Sequence, residues 1–272
     1  MPMSLLILVA AIQGLTEFLP ISSSGHLVLI PIVTNFAYQG RAIDVAAHVG
    51  TLIAVAVYLR AEIIAILCAL LRRGHGDEHN ARLGIMLVAA TFPVMFAGYI
   101  VNYANWRWLD MVHTLAIANL VFAAILWGAD KMPVIQHDLK AIGWRHALVI
   151  GAAQICALVP GASRSGVTMS AARFLGLDRV TAARFSLLLS LPTIAGAGLL
   201  KTIDLVNSGD AGLGSDGVIV AVLSALLAWL AIRWMMGWLA VASFKIFVYY
   251  RLALGGLLLL ALMQGWIAPS IT

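Results

Sequence analysis

The chain has 272 residues, 62% of them hydrophobic and only 11% charged, with a mean hydropathy of +0.98. Soluble globular domains carry about twice that share of charge, so the composition excludes a soluble protein and points to a polytopic membrane protein. The net charge of +5 does not indicate nucleic-acid binding, because basic residues of membrane proteins gather in cytoplasmic loops.

A bilayer core of roughly 30 Å takes about 20 helical residues to cross. The opening apolar run, Met3 to Ile12, falls short of that. It also lacks the basic flank of a signal peptide, since Arg41 is the first basic residue. The run gives way to Gln13, Glu17, Pro20 and the cluster Ser22-Ser23-Ser24-Gly25-His26, and apolar sequence resumes from Leu27 to about Val33. Two half-length arms around a polar bend predict a re-entrant helical hairpin, whose irregular backbone is tolerated at membrane depth only inside protein or against a cavity. Spans follow over 43–60, 83–101 and 112–130, with 62–71 read as an interfacial helix. A second pair of short arms, 146–158 and 167–176, flanks the bend Pro160–Thr168, and three more spans cover 183–200, 217–234 and 249–268. The expected fold class is all-α integral membrane, with six transmembrane helices plus two re-entrant helical hairpins in a single polytopic domain.

Charge supports that scheme. Of the 17 basic residues, thirteen fall in four segments: Arg60, Arg72, Arg73 and Arg82; Lys131, Lys140 and Arg145; Arg173, Arg179 and Arg184; Arg233, Lys245 and Arg251. The complementary segments hold Arg41, Arg107 and Lys201, and the loop 201–217 adds Asp204, Asp210 and Asp216. Six spans and two hairpins put all four basic segments on one face, which should be cytoplasmic, with both termini outside. Each half is then one hairpin and three spans (about 1–130 and 146–268), so the halves form an inverted repeat. Gln13 precedes Gly25 by 12 residues, as Gln154 precedes Gly166, and Ser22-Ser23-Ser24 matches Ser163-Arg164-Ser165. Inverted repeats with broken helices place polar sites at their interface. The first hairpin should enter from outside and the second from the cytoplasm, tip to tip.

Arg164 is the seventeenth basic residue, alone inside the membrane. A buried charge there costs a few kcal/mol or more and usually faces a cavity with a partner. Its planar fork of donors fits phosphate oxygens, and Ser163, Ser165 and Thr168 surround it, so the second bend reads as an oxyanion cradle. In the first bend Gln13 and Glu17 share a helix face. Glu17 either binds a divalent metal together with substrate phosphates or pairs with Arg164 to hold the tips together. Ser22, Ser23, Ser24 and His26 suit phosphoryl transfer as nucleophile and acid/base group, although serines at such a bend also cap helices. Asp44 and His48 either line the cavity mouth or form a polar pair at the interface. Arg184 reads as a snorkelling side chain. His75, His79, His113, His137 and His146 read as solvated, and Trp106, Trp108, Trp144, Trp238 and Trp266 as an interfacial belt. Cys68 and Cys156 lie in apolar segments, which favours neither a disulfide nor a thiolate metal site.

Together, Gln13-Gly-Leu-Thr-Glu17-Phe-Leu-Pro20-x-Ser-Ser-Ser-Gly-His26 and Pro160-Gly-x-Ser-Arg-Ser-Gly-x-Thr168 closely resemble the signatures of the undecaprenyl-diphosphate phosphatase family of the bacitracin-resistance type. The resemblance runs over essentially the whole chain, including Gly50-Thr51. It implies hydrolysis of undecaprenyl diphosphate to the monophosphate and phosphate at the bacterial inner membrane, recycling the lipid carrier of cell-wall polymers. It implies a divalent cation, Mg²⁺ or Ca²⁺, with Glu17 as metal ligand and Gln13 beside it. Ser23 would be the nucleophile, with His26 its acid/base partner or a rival nucleophile. Arg164 would clamp the diphosphate, helped by Ser22, Ser24, Ser163, Ser165 and Thr168. The family often has an acidic residue where this chain has Arg184, and Gln13 is the amide form of a position that is often glutamate. The first hairpin's approach from outside favours an active site on the outer face. The oligomeric state is left open, a homodimer included. A transporter or lipid-phosphate flippase, also built on inverted repeats, is the competing class, and the clustered Ser-Arg-Ser-Gly-x-Thr cradle favours phosphoryl chemistry over it.

Overall fold

In the computed structural model the described residues are 1–34, 36–71, 78–104, 106, 109, 111–207 and 214–268. Arg72, Arg73, His75, Arg107, Trp108 and Asp210 lie outside them. Among the described residues the fold is all-helical with no β-strand, and six helices are long and apolar enough to cross a membrane. These are α3 (Arg41–Tyr58), α5 (Glu78–Ala104), α6 (Val112–Asp130), α9 (Arg179–Asn207), α10 (Gly214–Val241) and α11 (Lys245–Met263). Four helices flanking the two bends are too short to span: α1 (Met3–Thr16), α2 (Ser23–Val33), α7 (Trp144–Ala153, prolonged by a 3-10 segment Gln154–Leu158) and α8 (Arg164–Phe174). The stretch read as interfacial is α4, Arg60–Leu71.

Several helices outrun the apolar windows that announce them. α5 and α9 continue through their first charged turns, because a helix needs only its middle turns to be apolar to sit in lipid. Pro93 and Pro192 lie inside these helices without ending them, as neighbouring helices in a membrane allow. The short arms differ in a more telling way. α2 and α8 begin at Ser23 and Arg164, so the polar residues read as bends are the first helical turns. Ser22 and Ser163 cap them, each hydroxyl accepting from the backbone N–H three residues on, at Gly25 and Gly166. Both serines have positive φ, 72° and 69°, and no other described non-glycine residue does.

Close helix contacts are made where side chains vanish. A Cβ on Gly50 of α3 would lie 2.1 Å from the Ala221 carbonyl oxygen of α10, so the two backbones nearly touch. α1 lies against α10 and α7 against α5; α6 pairs with α11. The ends of the spans tie together at one side of the bundle. There Arg179 donates to Asp130 (2.5 Å), Arg184 to Glu62 (2.8 Å), and the Phe244 amide to Asp130.

Two arginines counted as loop charges are not in loops. Arg173 and Arg251 are 1% and 0% exposed. Arg173 donates to the Leu177, Asp130 and Met132 carbonyls near the end of α6. Arg251 stands six residues into α11 and reaches both polar bends. A cation can be buried this way because carbonyl oxygens replace its water.

Candidate active site

The two bends meet. Glu17, just past α1, accepts from Arg164 Nη2 at 3.1 Å across 147 residues of chain. Its other oxygen accepts from Gln13 Nε2 (2.9 Å) and from the Ser23 hydroxyl (2.6 Å). One nearly buried carboxylate thus gathers an amide, a seryl hydroxyl and a guanidinium. The helical pitch sets the Gln13–Glu17 contact, while Ser23 reaches back from the first turn of α2 after the chain reverses at Phe18–Ile21. Phe18 is buried and lies under the Arg164 guanidinium, 5.9 Å from ring centre to guanidinium carbon, a cation–π distance.

Two polar atoms of this group are buried without a hydrogen-bond partner: Arg164 Nη1 and Gln13 Oε1. Buried polar atoms are nearly always satisfied, so an orphaned donor and an orphaned acceptor on two side chains that both bond Glu17 mark a place built for a ligand. Glu17 and Arg164 line a cavity of about 170 Å³, together with His48, Thr193, Ile194 and, where α9 nears its end, Lys201. The amino ends of α2 and α8 bring their unsatisfied N–H groups and positive dipole ends to the same junction. A phosphate group suits such a place.

The other expected residues fall into distinct positions. His26 does not bond Ser23. Its Nδ1 donates to the Ser22 carbonyl (2.6 Å), so Nε2 accepts from the Tyr250 hydroxyl (2.5 Å), and the two rings stack. Ser24 is exposed and lies 3.4 Å from the Ser22 hydroxyl. The three hydroxyls around Arg164 turn into the protein. Ser163 caps α8 and lies 3.1 Å from Ser165, Ser165 donates to the Leu19 carbonyl (2.8 Å), and Thr168 bonds the Arg164 carbonyl and Ser186. Asp44 accepts from Tyr38 and Gln39. Arg184 is nine residues before Thr193, roughly 14 Å along the helix, and its partner is Glu62. Trp106, Trp144 and Trp266 are exposed near helix ends, while Trp238 is partly buried and stacks on Trp234.

A divalent cation can be tested against these donors. Among the described residues no three His, Cys, Asp or Glu side chains cluster for a metal, so a protein-only cage does not fit. Glu17 with the orphaned Gln13 Oε1 does fit a cation that takes its remaining ligands from water and substrate phosphates, the habit of Mg²⁺.

The model of the family "Bacitracin resistance protein BacA" matches residues 6–257. The chain belongs to this family. Among its BacA relatives, a protein named undecaprenyl-diphosphatase from Maricaulis maris is 44% identical over 92% of this chain and 95% of its own length. Proteins of the same name from Dinoroseobacter shibae and Alcanivorax borkumensis are 43% and 44% identical, over 94% and 93% of this chain and 97% and 96% of theirs. With its six apolar helices, this BacA chain is a multi-pass bacterial membrane protein.

Sequence reasoning missed two BacA residues that matter here, Tyr250 and Arg251. Arg251 donates to the Pro20 carbonyl in the first bend (3.3 Å) and to the Gly161 and Ala162 carbonyls in the second (2.7 and 2.9 Å). Its signal was the one that singled out Arg164, a cation within an apolar run. Counting it with Lys245 as a flanking charge hid it.

Proposed function

We propose that this chain is an undecaprenyl-diphosphatase that hydrolyses the C55 isoprenyl diphosphate to the monophosphate plus orthophosphate and so returns the cell-wall lipid carrier to use. One observation supports this function above the rest: Arg164, with its Nη1 unpaired, bonds a carboxylate, Glu17, that also holds the Ser23 hydroxyl, and Glu17 and Arg164 line one cavity. Arginine neutralises the diphosphate and steadies the charge that builds on the transferred phosphoryl oxygens. Glu17 takes the Ser23 proton as Oγ attacks the terminal phosphorus. The bond from that phosphorus to the bridging oxygen breaks, and the lipid leaves as its monophosphate. Glu17 gives that proton up to the departing monophosphate; water then attacks the phosphoseryl phosphorus and passes a proton to Glu17, which returns it to the Ser23 oxygen as the bond from phosphorus to Oγ breaks and orthophosphate is freed. His26, held by Ser22 and Tyr250, serves as the second acid/base group at the mouth of the site. Ser22 and Ser163 shape the bends, and Ser24 is the solvent-side hydroxyl beside them. Ser165 and Thr168 hold Arg164 in place from behind.

Glu17 and Gln13 are the residues that would hold Mg²⁺ or Ca²⁺, and a bound cation would neutralise the diphosphate and polarise its oxygens.

The same proposal gives the membrane placement. α1–α2 and α7–α8 are re-entrant hairpins of an inverted repeat in the cytoplasmic membrane. The matched caps at Ser22 and Ser163 support the repeat, as does α1 lying on α10 in the way α7 lies on α5. Even without Arg173 and Arg251, the basic loops gather on one side, which is cytoplasmic. The cavity therefore opens outward, and both termini are outside.

The test is phosphate release by the purified chain from undecaprenyl diphosphate. Arg164→Ala should lower kcat/KM by about 10³-fold or more, the range for a transition-state arginine, with an unchanged helical spectrum. Near-normal turnover refutes the clamp. A wild-type chain that moves lipid phosphate across vesicles without releasing phosphate is a flippase instead.

A further inference from the structure

The cavity over Glu17 and Arg164 has a neighbour. Lys201, in its wall, also lines a second cavity of about 300 Å³ with Tyr38, Arg41, Asp44 and Asp204. This second chamber lies where α9 nears its end and α3 begins, on the side of the bundle away from Arg184 and Glu62. Lys201 is eight residues beyond Thr193, roughly 12 Å along α9. Val45, Ile194 and Ala197 make the inner wall largely apolar, and His48 of α3 also lines the first cavity.

We propose that Lys201, with Arg41 behind it, forms a second, weak phosphate subsite through which orthophosphate leaves the active-site cavity for the outer aqueous face. The proposal rests on the phosphatase reading for what is carried, and on the two cavities that share Lys201 for the path. An orthophosphate formed at Arg164 is multiply charged and cannot cross an apolar wall without a counter-charge nearby. Lys201 is the cation common to both chambers. Lysine suits the task because its ammonium is a compact charge on a flexible stem, where an arginine fork would hold phosphate in a fixed bidentate grip. The outer chamber is balanced: two cations face Asp44 and Asp204. Asp44 is already engaged by the Tyr38 hydroxyl (2.6 Å) and Gln39 (2.7 Å). A near-neutral chamber binds an anion well enough to receive it and too weakly to keep it, as transit sites require. If Lys201 only anchored α9 at the lipid headgroups, its charge would be irrelevant to phosphate.

The probe is inorganic phosphate itself, added to purified protein in detergent and followed by ³¹P line broadening. The wild type should broaden the phosphate line. Lys201→Gln should weaken that binding by about fivefold, the most that an exposed ion pair contributes, and Lys201→Arg should retain it. The key arm uses Arg164→Ala. This variant should keep a Lys201-dependent share of the broadening, which the double variant with Lys201→Gln loses. Failure of phosphatase activity in the wild type would sink the functional reading and leave this binding result standing. Broadening that Lys201→Gln leaves unchanged would overturn the subsite. So would a rise in KM for the lipid in step with the loss of phosphate binding, because Lys201 would then belong to the diphosphate site.

Discussion

Besides its place beside a cation, Glu17 is asked to do two things: to hold Arg164 across the junction and to take a proton from Ser23. Separate variants tell the two apart. Glu17→Gln keeps a hydrogen-bonding oxygen for Arg164 but cannot act as a base, so kcat should fall by about 10²- to 10⁴-fold, the range for a general base. Ser23→Ala should fall at least as far and leave no phosphoenzyme on acid quenching. If instead Ser23→Ala turns over at a tenth of the wild-type rate or better, water is the nucleophile and Glu17 activates it directly. Tyr250→Phe removes one hydrogen bond to His26 Nε2 and should slow turnover only about five- to tenfold, the worth of about 1 kcal/mol. The sequence named Glu17, Ser23 and Arg164 because charges and hydroxyls stand out in an apolar chain. It paired His26 with Ser23 because they are neighbours in sequence, whereas one turn of α2 carries the His26 ring away to α11.

At the scale of the elements, the spans were easy to find and their ends were not. Hydropathy locates the middle of a helix, where lipid demands apolar side chains, and says nothing about how far the helix runs into charged sequence. The starts of α2 and α8 were misread for a related reason. Serine, glycine and arginine have the composition of a loop, yet a capping hydroxyl at Ser22 or Ser163 makes the next residue helical. Glycines were underused as well. Gly50 was noticed within a resemblance, but its physical role is to let α3 lie against the Ala221 carbonyl of α10. Gly50→Ala should therefore destabilise the protein by about 1–3 kcal/mol, as overpacking does, read as a lower unfolding midpoint in detergent. An unchanged midpoint would mean that the two helices separate at little cost.

For the whole molecule, the site exists only because distant parts of the chain converge, and hydropathy says nothing of which helices adjoin. Charge asymmetry predicts a side for each loop, and the likeness of the two bends predicts their meeting, which the Glu17–Arg164 pair bears out. Neither could reveal Arg251, whose three carbonyl partners lie about 90 and 230 positions away and take its Nη donors in place of water. Arg251→Met should leave those carbonyls unsatisfied, at about 1–3 kcal/mol each. It should also cost about 10²-fold in kcat, as small misplacements of reacting groups do, while the helical content measured by circular dichroism stays. Full activity in this variant would show that the bends hold each other unaided.

Arg251 and Tyr250 both belong to α11, and Glu17, Ser23 and Arg164 all precede it in the chain. Synthesis runs from the amino end, so the groups assigned to the chemistry are made before the side chain that fastens them. A chain halted before α11 would hold Glu17, Ser23 and Arg164 in the membrane without the guanidinium that ties their two bends, and should turn over at least as slowly as Arg251→Met, about 10²-fold below the whole chain.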